Sequence, residues 1–497
     1  MGNSTGNLFE FWDAIKANKR MIGAFIWDWM DQALVVKDAN GKERYVYGGD
    51  FGEKYHDDNF NLNGVINADQ TAKPATWEAK KVFQPVVMRR GETNEAPFLV
   101  HNWHHFADLS RYEGQYTVLA DGISVKVGPF RVPAIAAGKE GKLDFVWPDI
   151  DYQAGVEYFI NFEFKLKDQY SWANKGHVVA TEQFPIANPQ GSAKANVGIP
   201  AGKVSVTESA TEVRVTGDEL VVVFDKESGW IRTISNGGKE VVSGDLRPNF
   251  WRALTDNDER GHQIQKRYAK WKNAAKSADL QSIEVSTLSS LAEGNNIQEH
   301  SQVLVKTEHW MSEVSTSYQV DYLISNGAIA VEVTFDPSSN NSELPRIGMQ
   351  FQMPAVYDLW EWYGRGPHEN YSDRQKSAYI GLYQASVKDD FFHYIQPQES
   401  NNRTDVRWMS LKDGNGEGLS VLGDQPLSVS AWPYTMSDLD KARHIEDLSL
   451  SDFITVNIDL IQMGVGGDDT WTFASRPHEP FRIKPEKKVY RFEIRLE

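Results

Sequence analysis

Six consecutive residues, Trp27-Asp28-Trp29-Met30-Asp31-Gln32, set two indoles beside two carboxylates and a carboxamide. An indole offers a broad apolar face and one N–H donor, which suits a half-wet binding surface, and such a face can stack on the C–H face of a sugar. Three further blocks mix the same types. Gly364-Arg365-Gly366-Pro367-His368-Glu369-Asn370 places a histidine beside an acid, Met463 to Trp471 ends a glycine-rich run with Asp468-Asp469-Thr470-Trp471, and Asp256-Asn257-Asp258-Glu259 gathers carboxylates. Each also has a purely structural reading. Trp27 could be a core residue followed by a satisfied cap, and Arg365 could bridge a tight turn to Glu369 or to a loop carbonyl. Met463 to Trp471 could be a hairpin whose Asp468 and Asp469 cap backbone N–H groups. The Asp256 cluster lacks the glycine and closing glutamate of a calcium loop and reads as a capped turn.

The elements that must carry these blocks follow from periodicity. Leu8, Phe11, Trp12 and Ile15 make one helical stripe, and Pro74 to Val82 predicts a second helix. Between them, Met21 to Trp27 is almost unbroken apolar sequence, the pattern of a parallel strand covered on both faces. It would place the Trp27 block at a strand's C-terminal end, where (β/α) barrels keep their chemistry. A long loop containing Gly48-Gly49 and Gly52 follows. From about residue 85 the pattern becomes alternating: Gln115–Leu119, Lys142–Trp147 and Glu157–Lys165, then Glu219–Asp225 and Ala330–Phe335, read as strands with one buried face. The expected units are 1–85, the end of a barrel; 86–188, a small sandwich; 189–204, a linker; and 205–497, a large mostly β unit.

With 497 residues the chain exceeds one ordinary core, so several domains are expected. The net charge of −17 comes with no basic run, which argues against nucleic acid. No apolar stretch reaches the length of a membrane span, and the N-terminus has no signal-peptide pattern. A cytoplasmic location is the default expectation. Zero Cys excludes disulfides, thiolate metal sites and Cys nucleophiles. Of the 16 Trp, most are expected to be core.

Taken together and in order, the blocks Gly23–Gln32, Gly48-Gly49-Asp50-Phe51-Gly52, Phe60-Asn61-Leu62-Asn63-Gly64, Trp362–Tyr371 and Met463–Trp471 resemble the β-galactosidases of glycoside hydrolase family 2. The resemblance runs from Met1 almost to Glu497. It implies a mainly β, multidomain chain: the remnant of a (β/α)8 barrel, an immunoglobulin-like sandwich and a large galactose-mutarotase-like sandwich. It implies that Trp27 forms the wall against which a galactosyl ring sits, and that the Phe60 carbonyl and the Asn63 side chain ligate a monovalent cation, usually Na⁺, that touches the sugar's 6-hydroxyl. Trp471 would stack on the aglycone side. Mg²⁺ is expected for the complete enzyme, although His56 stands where the family pattern has an Asn near a secondary Mg²⁺, which puts that site in question.

The resemblance also implies an absence. The family's nucleophilic Glu lies in a Glu-Tyr-x-His-x-Met-Gly-Asn-Ser stretch whose last four residues match Met1-Gly2-Asn3-Ser4. The nucleophile, the acid/base Glu and most barrel strands are therefore expected upstream, so the chain alone should not hydrolyse a galactoside. Its expected partners are a galactoside, the missing N-terminal half and, once complete, further copies of itself. Residues 1 to about 85 should be poorly ordered, docked on the second unit or prone to aggregate. Two other readings compete: a non-catalytic carbohydrate-binding module, and a sugar epimerase built on His368, Glu369 or Glu399.

Overall fold

A computed structural model describes residues 5–37, 39–93, 96–191, 202–288 and 301–497. Met1-Gly2-Asn3-Ser4 and most of the expected linker lie outside the described residues. Both predicted helices form, α1 over Leu8–Ala17 and α2 over Pro74–Val82. Pro74 starts α2, where its missing N–H costs nothing, and Ala75, Glu78, Ala79 and Val82 turn inward. Helix α1 buries no residue fully, and its Trp12 meets Phe83 beyond the end of α2 at 4.6 Å between ring centroids.

The strand expected over Met21 to Trp27 does not form. That segment is irregular, and Ile22 and Phe25 are completely exposed. An apolar run signals covered faces, but a strand also needs a ladder partner, and none of the described segments runs beside this one. The nearest pairing is a single parallel bridge, Met30 to Ile66. The loop that follows contains a short hairpin, Leu34–Lys37 against Glu43–Val46.

Seven strands between Val86 and Ile186 form two sheets. Val86–Thr93, Ala96–Asn102 and Glu140–Leu143 make one, while Ile123–Phe130, Tyr112–Ala120, Tyr158–Leu166 and Val178–Ile186 make the other. Their inner faces share one core in which Phe98, Phe145 and Phe162 meet edge to face. This is the seven-strand sandwich architecture of immunoglobulin-like domains. The strand expected over Lys142–Trp147 stops at Leu143, yet Phe145 and Trp147 still reach the same aromatic cluster.

From Ser205 onward the described strands join one antiparallel sheet of 16 strands, with Leu359–Gly366, Tyr379–Ser386 and Arg403–Lys412 branching from it beside Gly418–Trp432. Trp230, Trp251, Trp271, Trp360, Trp362 and Trp432 are buried in this unit, whereas eight Trp of the chain, among them Trp27, Trp77 and Trp471, are exposed. Most Trp are therefore not core. Among the described residues no helix is long and apolar enough to cross a membrane.

The N-terminal segment is docked rather than loose, and it touches both other units. Glu182 of the sandwich pairs with Lys81 at 2.8 Å and accepts from Gln84 at 2.8 Å. The buried Glu78 carboxylate accepts the Lys376 and Ser377 N–H groups and the Ser377 hydroxyl. Gly6 meets Gly466 so closely that a Cβ on Gly6 would stand 2.4 Å from the other Cα.

Candidate functional site

Two backbone segments form the floor. Asp28 N–H donates to the Asn63 carbonyl at 2.7 Å, Val65 N–H to the Asp28 carbonyl at 3.1 Å and Gln32 N–H to the Asn61 carbonyl at 2.9 Å. A buried pair, Lys73 Nζ on Asp31 Oδ2 at 2.5 Å, locks them, and Asp31 Oδ1 accepts the Gly64 N–H. Removing one partner would strand a buried charge, a loss of about 3–5 kcal/mol. Trp27, which is 74% exposed, therefore directly precedes the residue whose N–H is bonded to Asn63, itself only 3% exposed. The Trp27–Asp28 peptide is cis.

Phe60 sits on the 3-10 turn Asp58–Asn61, and its ring packs against Trp471 at 5.7 Å and 46°. Asp57, Phe60, Arg260, Thr470 and Trp471 line a cleft of about 330 Å³. The Met463–Trp471 segment is an irregular loop rather than a hairpin. Its base is gripped twice. Arg252, held bidentately by Asp258, donates to the Met463 and Gly464 carbonyls, and the Asp373 carboxylate accepts the Val465 and Gly466 N–H groups. At the tip, Asp469 accepts the Trp471 and Thr472 N–H groups, the capping role expected of it. Asp468 bonds instead to His478 Nε2 at 2.7 Å, while His478 Nδ1 meets Glu10 of α1 at 2.7 Å. Burial disfavours the charged imidazole, but the hydrogen bonds to Asp468 and Glu10 outweigh it and raise the His478 pKa. The cation thus ties the Trp471 loop to α1.

The Asp256 block also belongs here. It opens a π-helical turn, Asn257–His262, rather than a simple capped turn, and Asp258 is spent on Arg252. Asp256 accepts from the Asn59 amide, and Arg260 Nη2 donates to Asn59 Oδ1 at 2.6 Å. Sequence reasoning missed Arg260, Asn59 and His478. None belongs to a periodic pattern, and each works through a contact between segments far apart in the chain.

Other candidates are committed elsewhere. Asp28 accepts the Trp29 N–H and the Gln32 amide, and Asp50 bonds to His444 at 2.8 Å. His56 accepts the Asp58 N–H at 3.2 Å. Arg365 bridges to Asp405 and the Ala378 carbonyl, not to Glu369. Glu369 is buried under Arg374, Tyr394, Ser400 and the Asn401 N–H, and Glu399 is buried against Arg346 and Gln462. Neither faces solvent as an epimerase base would have to.

The Asn63 side-chain oxygen is buried with no hydrogen-bond partner. An unsatisfied buried acceptor costs about 1–3 kcal/mol, and an ion is one explanation for such a group in a native fold. An amide oxygen is a donor type that suits a hard cation, so the Asn63 side chain fits the expected Na⁺. No side-chain contact among the described residues joins Trp27 to Trp471; the floor segment links them.

Three family models divide the chain between them. Residues 1–88 match the TIM barrel domain of glycosyl hydrolases family 2, 98–187 match domain 4 of β-galactosidase, and 216–496 match the β-galactosidase small chain. The chain therefore belongs to the β-galactosidases of glycoside hydrolase family 2. The β-galactosidase of Priestia megaterium is 34% identical over 96% of this chain and 45% of its own length. Those of Halalkalibacterium halodurans and Vibrio cholerae are 32% and 31% identical over 98% and 100% of this chain, each over 47% of its own. The chain thus spans about half the length of these relatives. A galactose mutarotase related enzyme from Lactobacillus acidophilus aligns with 57% of this chain and 97% of its own at a TM-score of 0.35 and 10% identity, too distant to bear on the fold.

Proposed function

We propose that these residues are the C-terminal portion of a retaining β-galactosidase, acting on terminal β-D-galactose and completed by a segment that supplies the two catalytic carboxyls. The carrying observation is a chain of contacts: the segment bearing Trp27 is joined to the segment bearing Phe60 and Asn63 by the Asp28–Asn63 backbone bond, and Phe60 packs on Trp471 from the other end of the chain. Trp27 is the wall for the galactosyl ring, and Trp471 with Phe60 is the platform for the aglycone. The Phe60 carbonyl and Asn63 Oδ1 hold Na⁺, which when bound orients the sugar's 6-hydroxyl; Mg²⁺ acts in the completed enzyme.

Retaining hydrolysis needs two carboxyls roughly 5–5.5 Å apart, one free to attack and one to protonate. Asp28, Asp31 and Asp50 are each engaged by a neighbour and offer no such pair. The exposed apolar run of Met21, Ile22, Phe25 and Trp29, with Phe51, is the surface on which the remaining barrel strands would close. Relatives about twice as long support the same reading. The completed enzyme is expected to form a homo-oligomer. The test is to mix the chain with the N-terminal half of the Priestia relative and follow aryl β-galactoside hydrolysis against Na⁺ concentration. Activity that Na⁺ stimulates, with the stimulation lost in Asn63→Ala, supports the reading; a mixture that binds but shows no Na⁺ dependence removes the cation assignment.

A further inference from the structure

A second concavity, sharing no lining residue with the cleft, opens where three units meet: α2, the edge strand Val178–Ile186 of the sandwich, and the loop after Pro367. It encloses about 350 Å³, within the range of small-ligand sites. One wall is aromatic. Trp77 projects from α2 and is 44% exposed, so it is not spent on the core, and its ring lies nearly parallel to the His368 imidazole at 6.3 Å and 28°. Val178, Ala180 and Pro367 extend the apolar surface.

The polar groups of this cavity have defined roles. The Ser377 hydroxyl donates to Glu78 Oε2 at 3.0 Å, so its oxygen must accept from His368 Nε2, 2.9 Å away. That fixes the Nε2–H tautomer and leaves Nδ1 with a free lone pair. Burial, with Arg403 and Arg374 adding to it, holds His368 neutral by lowering its pKa to about 3, so Nδ1 remains an acceptor. On the rim, the Lys80 ammonium is exposed and pairs with no described carboxylate, whereas Lys81 is spent on Glu182. A flat apolar platform, one acceptor and one cationic donor match the face and hydroxyl edge of a sugar ring. A hydrocarbon would leave the polar groups idle, and a simple anion would leave the indole idle.

We propose that this cavity is an accessory saccharide-binding site that takes one pyranose ring on Trp77, between His368 Nδ1 and the Lys80 ammonium. It is independent of the galactosidase reading. Neither the stacking face nor these two polar groups reads the orientation of a single hydroxyl, so gluco- and galacto-configured rings should both bind.

The test uses the 497-residue chain and saturation-transfer NMR with methyl β-D-glucopyranoside and lactose. Both sugars should receive saturation. Trp77→Ala should weaken binding about ten-fold, as expected for loss of one aromatic platform, Trp77→Tyr should largely restore it, and Lys80→Ala should weaken it several-fold with unchanged melting. Trp471→Ala should leave methyl β-D-glucopyranoside binding intact. The proposal is overturned if neither sugar binds, if binding survives Trp77→Ala, or if it disappears with Trp471→Ala, which would assign it to the cleft.

Discussion

Phe60 and Trp471 pack ring on ring at 5.7 Å, joining the barrel-derived segment to the last loop of the large β unit. Rings at this separation couple by about 0.5–1.5 kcal/mol beyond their area burial. A double-mutant cycle with Phe60→Ala and Trp471→Ala, read from urea unfolding of the chain, should return a coupling of that size. Additive single effects would mean that the two rings do not position one another.

His478 should make the Trp471 loop sensitive to pH. Its folded pKa is raised by Asp468 and Glu10, so the tether is fully present below the unfolded value and is lost as pH rises through the higher folded value. Limited proteolysis within residues 468–475 should therefore accelerate with rising pH across that interval, after correction for the protease's own pH profile. His478→Gln should be cut quickly at every pH.

A buried triad governs stability in the large unit. Arg346 pairs with both Glu399 and Asp459, none of them exposed. One guanidinium cannot neutralise two carboxylates, and burial pushes Glu399 up to about 7 and Asp459 up to about 8. Folded-state values raised above the ordinary 4.5 and 3.8 mean that the native state binds more protons than the unfolded one, so stability falls as pH rises from about 4 towards 8. Asp459→Asn should flatten that fall in thermal melts at pH 6 to 9, whereas Arg346→Met should cost about 3–5 kcal/mol at neutral pH.

Gly466 has no room for a side chain: a Cβ there would lie 2.5 Å from the Gly6 backbone. Backbone cannot yield as a flexible side chain can, and overpacking of this kind typically costs about 1–3 kcal/mol. Gly466→Ala should increase hydrogen exchange across Asn7–Ala17 while the sandwich strands stay protected. Unchanged exchange in α1 would show that this contact does not hold the N-terminal segment.

Local pattern made the two helices and the five named alternating strands legible. Pro74 and the inward-turning Ala75, Ala79 and Val82 announce α2 without tertiary help, and the strand Tyr158–Leu166 alternates buried and half-buried from Ile160 onward. Met21 to Trp27 misled because apolar sequence reports the burial a segment is built for, not whether a pairing strand lies beside it. The Trp count misled for a related reason, since indoles at binding surfaces and in cores have the same composition. The proximity of Phe60 to Trp471 was accessible through motif order. The Arg260–Asn59 and His478–Glu10 contacts were not, because neither motif order nor periodicity links residues so far apart in the chain.

Turnover of an aryl β-galactoside by the purified chain, with Na⁺ and Mg²⁺ present, tests the central claim most directly. The account predicts no hydrolysis by the chain alone and hydrolysis once the N-terminal half of a relative is added. Hydrolysis by the chain alone would place both catalytic carboxyls within these 497 residues and contradict the assignment of the chemistry to a completing segment.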